Sequence, residues 1–217
     1  MFKRRRPQTW ARWIRAQVYP VGGFKRAALY LWHRLRRLPD PPHRIARGVF
    51  AGTFVNFPPI FGVQMLAAAG LASAMRGNVL AAVLATLLSN PVTTPIIATV
   101  SIKLGYWMLD LPGSVGIAEV FAAFAMAASD LWHNLQAIFG PEPTQWGGLL
   151  HFWHRIYWPY TVGSILPGLA CSLLFYALTL PALTAYQGLR RRRLAARIAA
   201  LRKKVAAKEG DGPVINP

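Results

Sequence analysis

Acidic residues are scarce in this sequence: seven Asp and Glu among 217 residues, against 25 Lys and Arg, for a formal charge of +18. Cysteine occurs once, as Cys171 within an apolar run. That excludes an intramolecular disulfide and any cysteine-pair metal site, and a lone buried thiol behaves as a small hydrophobe. A glycine-rich phosphate loop and a nucleophile elbow are also absent. Ser89 and Ser164 have no base at a useful spacing, so hydrolase chemistry has no support. A membrane enzyme is the third-ranked reading, with no catalytic set to name, and no cofactor is expected. The basic N-terminal region lacks the apolar core and small-residue cleavage site of a secretory signal, so membrane insertion is expected to rely on later segments.

What the sequence does contain is apolar: 54% of residues are hydrophobic. Such a content is unusual beside extreme basicity in a soluble enzyme, and the distribution of charge resolves the conflict. Thirteen Lys and Arg lie in residues 1–47, three in 48–160 (Arg76, Lys103, Arg155) and nine in 184–217. Basic ends around an apolar middle follow the positive-inside rule, so both termini are expected in the cytoplasm, with an even number of net crossings. Runs such as Lys3-Arg4-Arg5-Arg6 and Arg190-Arg191-Arg192-Arg193 would also suit nucleic-acid phosphates. No recognition motif accompanies them and both flank apolar segments, so anionic lipid headgroups are the expected partner and nucleic acid is not.

Two apolar stretches are broken in the middle by prolines. Residues 48–75 are interrupted at Asn56-Phe57-Pro58-Pro59, and residues 79–109 at Ser89-Asn90-Pro91-Val92-Thr93-Thr94-Pro95. A crossing helix needs about 20 residues, and lipid tolerates unpaired backbone groups only where protein or water covers them. Residues 48–75 therefore read as a hairpin that enters and leaves on the cytoplasmic side, with Pro59 as the first residue of its second half-helix. Residues 79–109 read as one broken crossing. Asn90 is its expected N-cap and Pro91 the first residue of the next half-helix, and Pro95 is expected to keep Thr94 out of the helical region. Broken helices are one way to build a binding site near the midplane. The candidate substrate-binding residues are thus Asn56, Pro58, Pro59, Gly62, Gln64 and Ser89 with Asn90, Pro91, Thr93, Thr94 and Pro95. Helix N-termini after Pro59 and Pro91 would favour an anionic group.

The rest of the chain falls into place around these breaks. Residues 1–42 form a basic region with short amphipathic helices over 8–38, where Trp10, Trp13 and Trp32 interleave with arginines. Residues 43–109 form the broken-helix domain. Residues 110–160 carry four acids and, before Arg155, no Lys or Arg, which fits the outer side. Over 116–139 a helix is expected, with Glu119 and Asp130 on one face, a wet interfacial face in preference to a proton-titrating stripe. Asp130/His133 and His151/His154 share an i, i+3 spacing that can ligate a metal, but nothing brings the pairs together and no metal is assigned. Trp153, Tyr157, Trp158 and Tyr160 form an aromatic belt. Residues 161–186 contain the plainest crossing, uncharged over 161–183, and residues 187–217 a basic tail helix with Leu194, Ile198, Leu201 and Val205 on one stripe.

The motifs of the broken region carry a resemblance. His43-Arg44-Ile45-Ala46-Arg47-Gly48, Gly52-Thr53-Phe54 and Pro59-Ile60-Phe61-Gly62-Val63-Gln64 form a first block. Gly77-Asn78 through Ala81-Ala82, ending in Ser89-Asn90-Pro91-Val92-Thr93-Thr94-Pro95, forms a second. The stretch from His43 to Leu109 resembles a bacterial membrane-protein family known as domain of unknown function 2062. Pro58 departs from the Thr or Ile more usual there, which stiffens the first break, and Arg47 stands where the family is often apolar. The resemblance implies a membrane protein and highlights both breaks, and it supplies no reaction.

The fold class expected is all-α: an integral membrane helical protein with proline-broken, re-entrant helices and basic amphipathic cytoplasmic ends. It would be a multi-pass protein of the bacterial inner membrane. Its expected function is that of a small transporter or lipid-handling protein with a site at the two breaks. The alternative is a non-transporting scaffold or assembly factor whose basic ends grip anionic lipid or a partner. Membrane lipids, with a homo-oligomer as a second candidate, are the expected partners.

Overall fold

Prolines and small residues decide where helices stop and which surfaces touch. The computed structural model describes residues 23–89, 93–140 and 143–210, and all regular structure among them is helical. The helices are α1 (Gly23–Leu35), α2 (Pro42–Val55), α3 (Gln64–Ala74), α4 (Val79–Thr86), α5 (Thr93–Met108), α6 (Ile117–Ile138), α7 (Gly147–Phe152) and α8 (Trp158–Gly210). A π-helical turn at Trp153–Tyr157 joins α7 to α8. The amphipathic expectation for residues 8–22 and the tail after Gly210 lie outside the described residues.

α2 begins at Pro42, directly after Pro41, where a missing N–H costs nothing. It ends at Val55, before the prolines. Its 14 residues give about 21 Å. The chain then reverses through Asn56–Val63 and returns as α3. A second reversal closes α3: Gly77 N–H donates to the Ala72 carbonyl at 2.7 Å and Arg76 N–H to the Ser73 carbonyl at 2.9 Å. Arg76 sits at φ 51°, the left-handed residue of a Schellman stop. Asn78 then caps α4, its side chain accepting from the Ala81 amide at 2.6 Å. Two expectations need correcting. The second half-helix starts at Gln64, not at Pro59, because Ile60–Val63 form a turn in which Gly62 has φ 88°. Thr94 is helical, because Pro95 lies in the first turn of α5, where its absent N–H has no intrahelical acceptor to miss.

Contacts fix the directions of these helices. Asn78 N–H donates to the Arg44 carbonyl near the start of α2, and Asn56 at the end of α2 reaches Ala85 near the end of α4. So α2 and α4 run parallel and in direct contact, and α3 returns antiparallel against both. Both breaks consequently lie at one level. α8 runs antiparallel to α2 and α5 and carries both. Its first turns pack on α5, with Gly163 against Ser101 and Gly105, and its middle packs on the first break, with Gly168 against Phe57. Farther on, Leu183 joins Ile45 and Val49, and Gln187 donates to the Asp40 carbonyl at 3.1 Å. α5 thus stacks end to end on the α2–α4 pair along one helix. α6 lies beside α5 and α7, with Phe124 edge-on to Phe61 at 5.3 Å and to Phe152 at 4.9 Å. Tyr160 is buried in that cluster, so it belongs to the core and not to the aromatic belt. Trp153 stacks on Tyr157 and Trp158.

Among the described residues one helix is long and apolar enough to cross a membrane, that containing α8, and only 17% of its apolar window is buried. Its outward side exposes Leu166, Leu173, Leu174 and Leu178.

The approach of these helices depends on missing side chains. A Cβ at Gly163 would collide with the Ser101 carbonyl and the Gly105 amide, and one at Gly52 with the Ala82 carbonyl. Gly70, on α3, has nothing within 4 Å of such an atom. Gly163→Ala should therefore lower the stability of the purified protein by about 1–3 kcal/mol, as overpacking does. Gly70→Ala should raise it by up to about 1 kcal/mol through helix propensity. Thermal unfolding of the two variants beside the parent checks the contrast; equal midpoints would refute it.

Candidate functional site

The first break is organised by Asn56, which is buried. Its Nδ2 donates to the Ala85 carbonyl at 3.2 Å, and its Oδ1 accepts from Nε2 of Gln64. The break needs such a residue because α4 ends nearby and its last carbonyls have no partners within the helix. Pro59 is buried and Pro58 half-buried, while Gly62 is exposed. Phe57 packs on α8 and Phe61 on α6, so the break is clamped from both sides.

The second break is stitched across itself. Ser89 Oγ and Thr94 Oγ1 are 3.2 Å apart, and Thr93 Oγ1 donates to the Leu88 carbonyl at 3.1 Å. Thr99 Oγ1 donates to the Pro95 carbonyl at 2.8 Å one turn along α5. Asn90 and Pro91 lie outside the described residues. The structure therefore brings Asn56 and Gln64 together and joins them to α4, and it joins Ser89 to Thr94 separately.

Electrostatics at this level are mixed. α2 and α4 end there, which puts two carbonyl ends near the breaks, and α3 and α5 begin there, which puts two amide ends beside them. Helix ends carry roughly half a charge of opposite sign, so the four ends largely offset one another. The sequence led to the two amide ends alone.

Two polar clusters were not legible as such. Asp40, the one acid in the first 109 residues, ties three elements at the opposite end of α2. It pairs with Arg44 at 3.1 Å, accepts from the Asn78 side-chain amide, and offers its carbonyl to Gln187 on α8. Its isolation among cations was the available signal. Asn134 is buried on α6 and holds the loop ahead of α7, exchanging hydrogen bonds of 2.9 and 2.7 Å with the Gln145 backbone. Glu119 and Asp130 do share a face: both border a groove of about 260 Å³ with His151 and Arg155. Glu119 pairs with Arg155 at 3.2 Å, each about half exposed, a surface pair of small energetic weight. Among the described residues no three His, Cys, Asp or Glu side chains converge closely enough to hold a metal.

Asn56→Ala removes the donor to Ala85 and leaves the Gln64 amide without its partner. It should cost about 1–3 kcal/mol. Asn78→Ala should cost about 0.5–2 kcal/mol as a lost cap. Asn78→Asp would keep the cap of an ordinary helix but turns the donor facing Asp40 into a carboxylate, so it should be no more stable than Asn78→Ala. Urea or thermal unfolding of the three variants tests this ordering, and an Asn78→Asp protein as stable as the parent would contradict it.

No curated protein and no solved structure matches the chain. The sequence profile of an uncharacterized protein family conserved in bacteria, domain of unknown function 2062, matches residues 25–192. The matched segment runs from within α1, through both breaks, to the start of the basic half of α8, and the chain belongs to that family.

Proposed function

We propose that this is a multi-pass inner-membrane protein that moves or handles a polar, charged substrate at the level of the two breaks. The observation that carries the reading is the Asn56–Ala85 hydrogen bond. It ties the first break to the end of α4, so that two interrupted segments meet beside one apolar helix. α2 and α3 are too short to cross alone, and Gly77 touches Gly48, which supports a re-entrant hairpin entered and left from the cytoplasmic side. α4 and α5 stacked end to end supply a broken crossing of the kind that places polar backbone at mid-depth under protein cover. The exposed leucines of α8 support lipid contact, since a core helix would be mostly buried. Two amide and two carbonyl ends at one depth suit a substrate carrying both signs of charge, or an anion with a companion cation.

A scaffold or assembly role is favoured by a different observation. Gln64, Asn56, Ser89, Thr93 and Thr94 make their hydrogen bonds with one another and with freed carbonyls, and so act as caps.

Cysteines introduced at His43 and Arg76 should react with a membrane-impermeant reagent from the cytoplasmic side, and one at Ser114 from the outer side. Vesicles containing the protein should then move a fluorescent phosphatidylglycerol between leaflets faster than empty vesicles, read by dithionite quenching. A stably folded Gln64→Ala protein should lose that acceleration. Movement no faster than in empty vesicles would reject lipid handling, and unimpaired movement in Gln64→Ala would reject the break as its site.

A further inference from the structure

One face of α8 changes character along its length. Phe175, Thr179, Leu183, Tyr186, Arg190 and Arg193 recur at spacings of three and four, which places them on one stripe of the helix. Phe175 and Thr179 form the floor of a groove of about 180 Å³. Its walls are apolar: Trp32 and Leu35 of α1, Val49 of α2, and Leu84 and Leu88 at and beyond the end of α4. Leu88, the residue before the second break begins at Ser89, is among those walls. In the other direction the stripe passes the buried Leu183 and continues onto an open face of α8 formed by Tyr186, Leu189, Arg190, Arg193, Leu194 and Arg197. Between the two stands Arg36. Its guanidinium lies 5.3 Å from the centre of the Tyr186 ring, and its Nε is buried without a hydrogen-bond partner.

An apolar slot that leads directly onto a helix face carrying Arg190, Arg193 and Arg197 has the complementarity of an amphiphile with a negative head. We propose that this face of α8 binds one anionic phospholipid of the cytoplasmic leaflet. An acyl chain lies in the groove between α1, α4 and α8, and the phosphate sits against Arg36 and Arg190. Tyr186 holds the Arg36 guanidinium by its ring face, as aromatic rings hold cations. A second copy of the chain is a poor occupant, because it would set arginine against arginine. A nucleic acid would use the arginines and leave the groove empty. The site is separate from the break-level reading: it requires a membrane and does not require transport.

Native mass spectrometry of the full chain, offered phosphatidylglycerol and phosphatidylcholine in equal amounts, tests it. Phosphatidylglycerol should be retained at least about tenfold more strongly, given the usual gain per basic side chain near a negative headgroup. The double variant R36Q/R190Q should lose most of that preference. R202Q, on the opposite face of α8, should keep it. T179F, which fills the groove and changes no charge, should weaken retention of the long-chain lipid. Should T179F fold poorly, competition on the parent protein replaces it: glycerol 3-phosphate, a headgroup without a tail, should not displace the lipid. Equal retention of the two lipids, an unaffected R36Q/R190Q, or displacement by glycerol 3-phosphate or by a single-stranded oligonucleotide would overturn the proposal. Loss of leaflet-to-leaflet movement with retention intact would count against the break-level site alone.

Discussion

Backbone touching backbone is the constraint on which the fold depends. Gly48 and Gly52 let α2 meet α4, Gly77 meets Gly48 across the turn, and Gly105 and Gly163 let α5 meet α8. Such contacts derive their energy from packing at short range, where the backbones of neighbouring helices meet directly. They also demand an accurate register, since a shift of one residue would put a side chain where only hydrogen fits. The register in turn sets the breaks at one level and brings Asn56 to Ala85. Polar chemistry at the breaks is therefore a product of the glycine contacts.

Polar side chains then resolve what the interruptions leave open. Each broken helix end exposes carbonyls or amides, and Asn56, Thr93 and Asn78 answer specific ones. The same economy appears at the other end of α2, where Asp40 serves α2, α4 and α8 at once. A single acid amid a large excess of positive charge experiences a strongly favourable field, which makes it an effective anchor for three helices.

Much of this was legible in the sequence. Proline clusters mark both interruptions because proline removes a donor and blocks the preceding turn, and the uncharged stretch over 161–183 marks the helix that, among the described residues, is long and apolar enough to cross a membrane. Asn56 and Gln64 stood out as amides in apolar runs, and they do meet. The exact resumption of α3 was not legible, because Pro59 is compatible with a helix start and only the turn around Gly62, clamped by Phe61 on Phe124, delays it to Gln64. Thr94 was misassigned because the rule for residues before proline weakens within the first turn of a helix. The Asp40 cluster and the groove on α8 depend on contacts between residues far apart in the chain, which local patterns do not carry.

The order of those long-range contacts has a consequence for biogenesis. α2 finds its partner on α8 through Ile45 with Leu183 and Asp40 with Gln187, pairs separated by well over half the chain. When the broken segments leave the ribosome, the helix that covers them has not been made. The interrupted backbone must wait, uncovered by its own fold, until synthesis reaches α8. Completion of this packing thus waits for α8, and a nascent chain that stops before it carries helix ends and apolar surface that nothing covers.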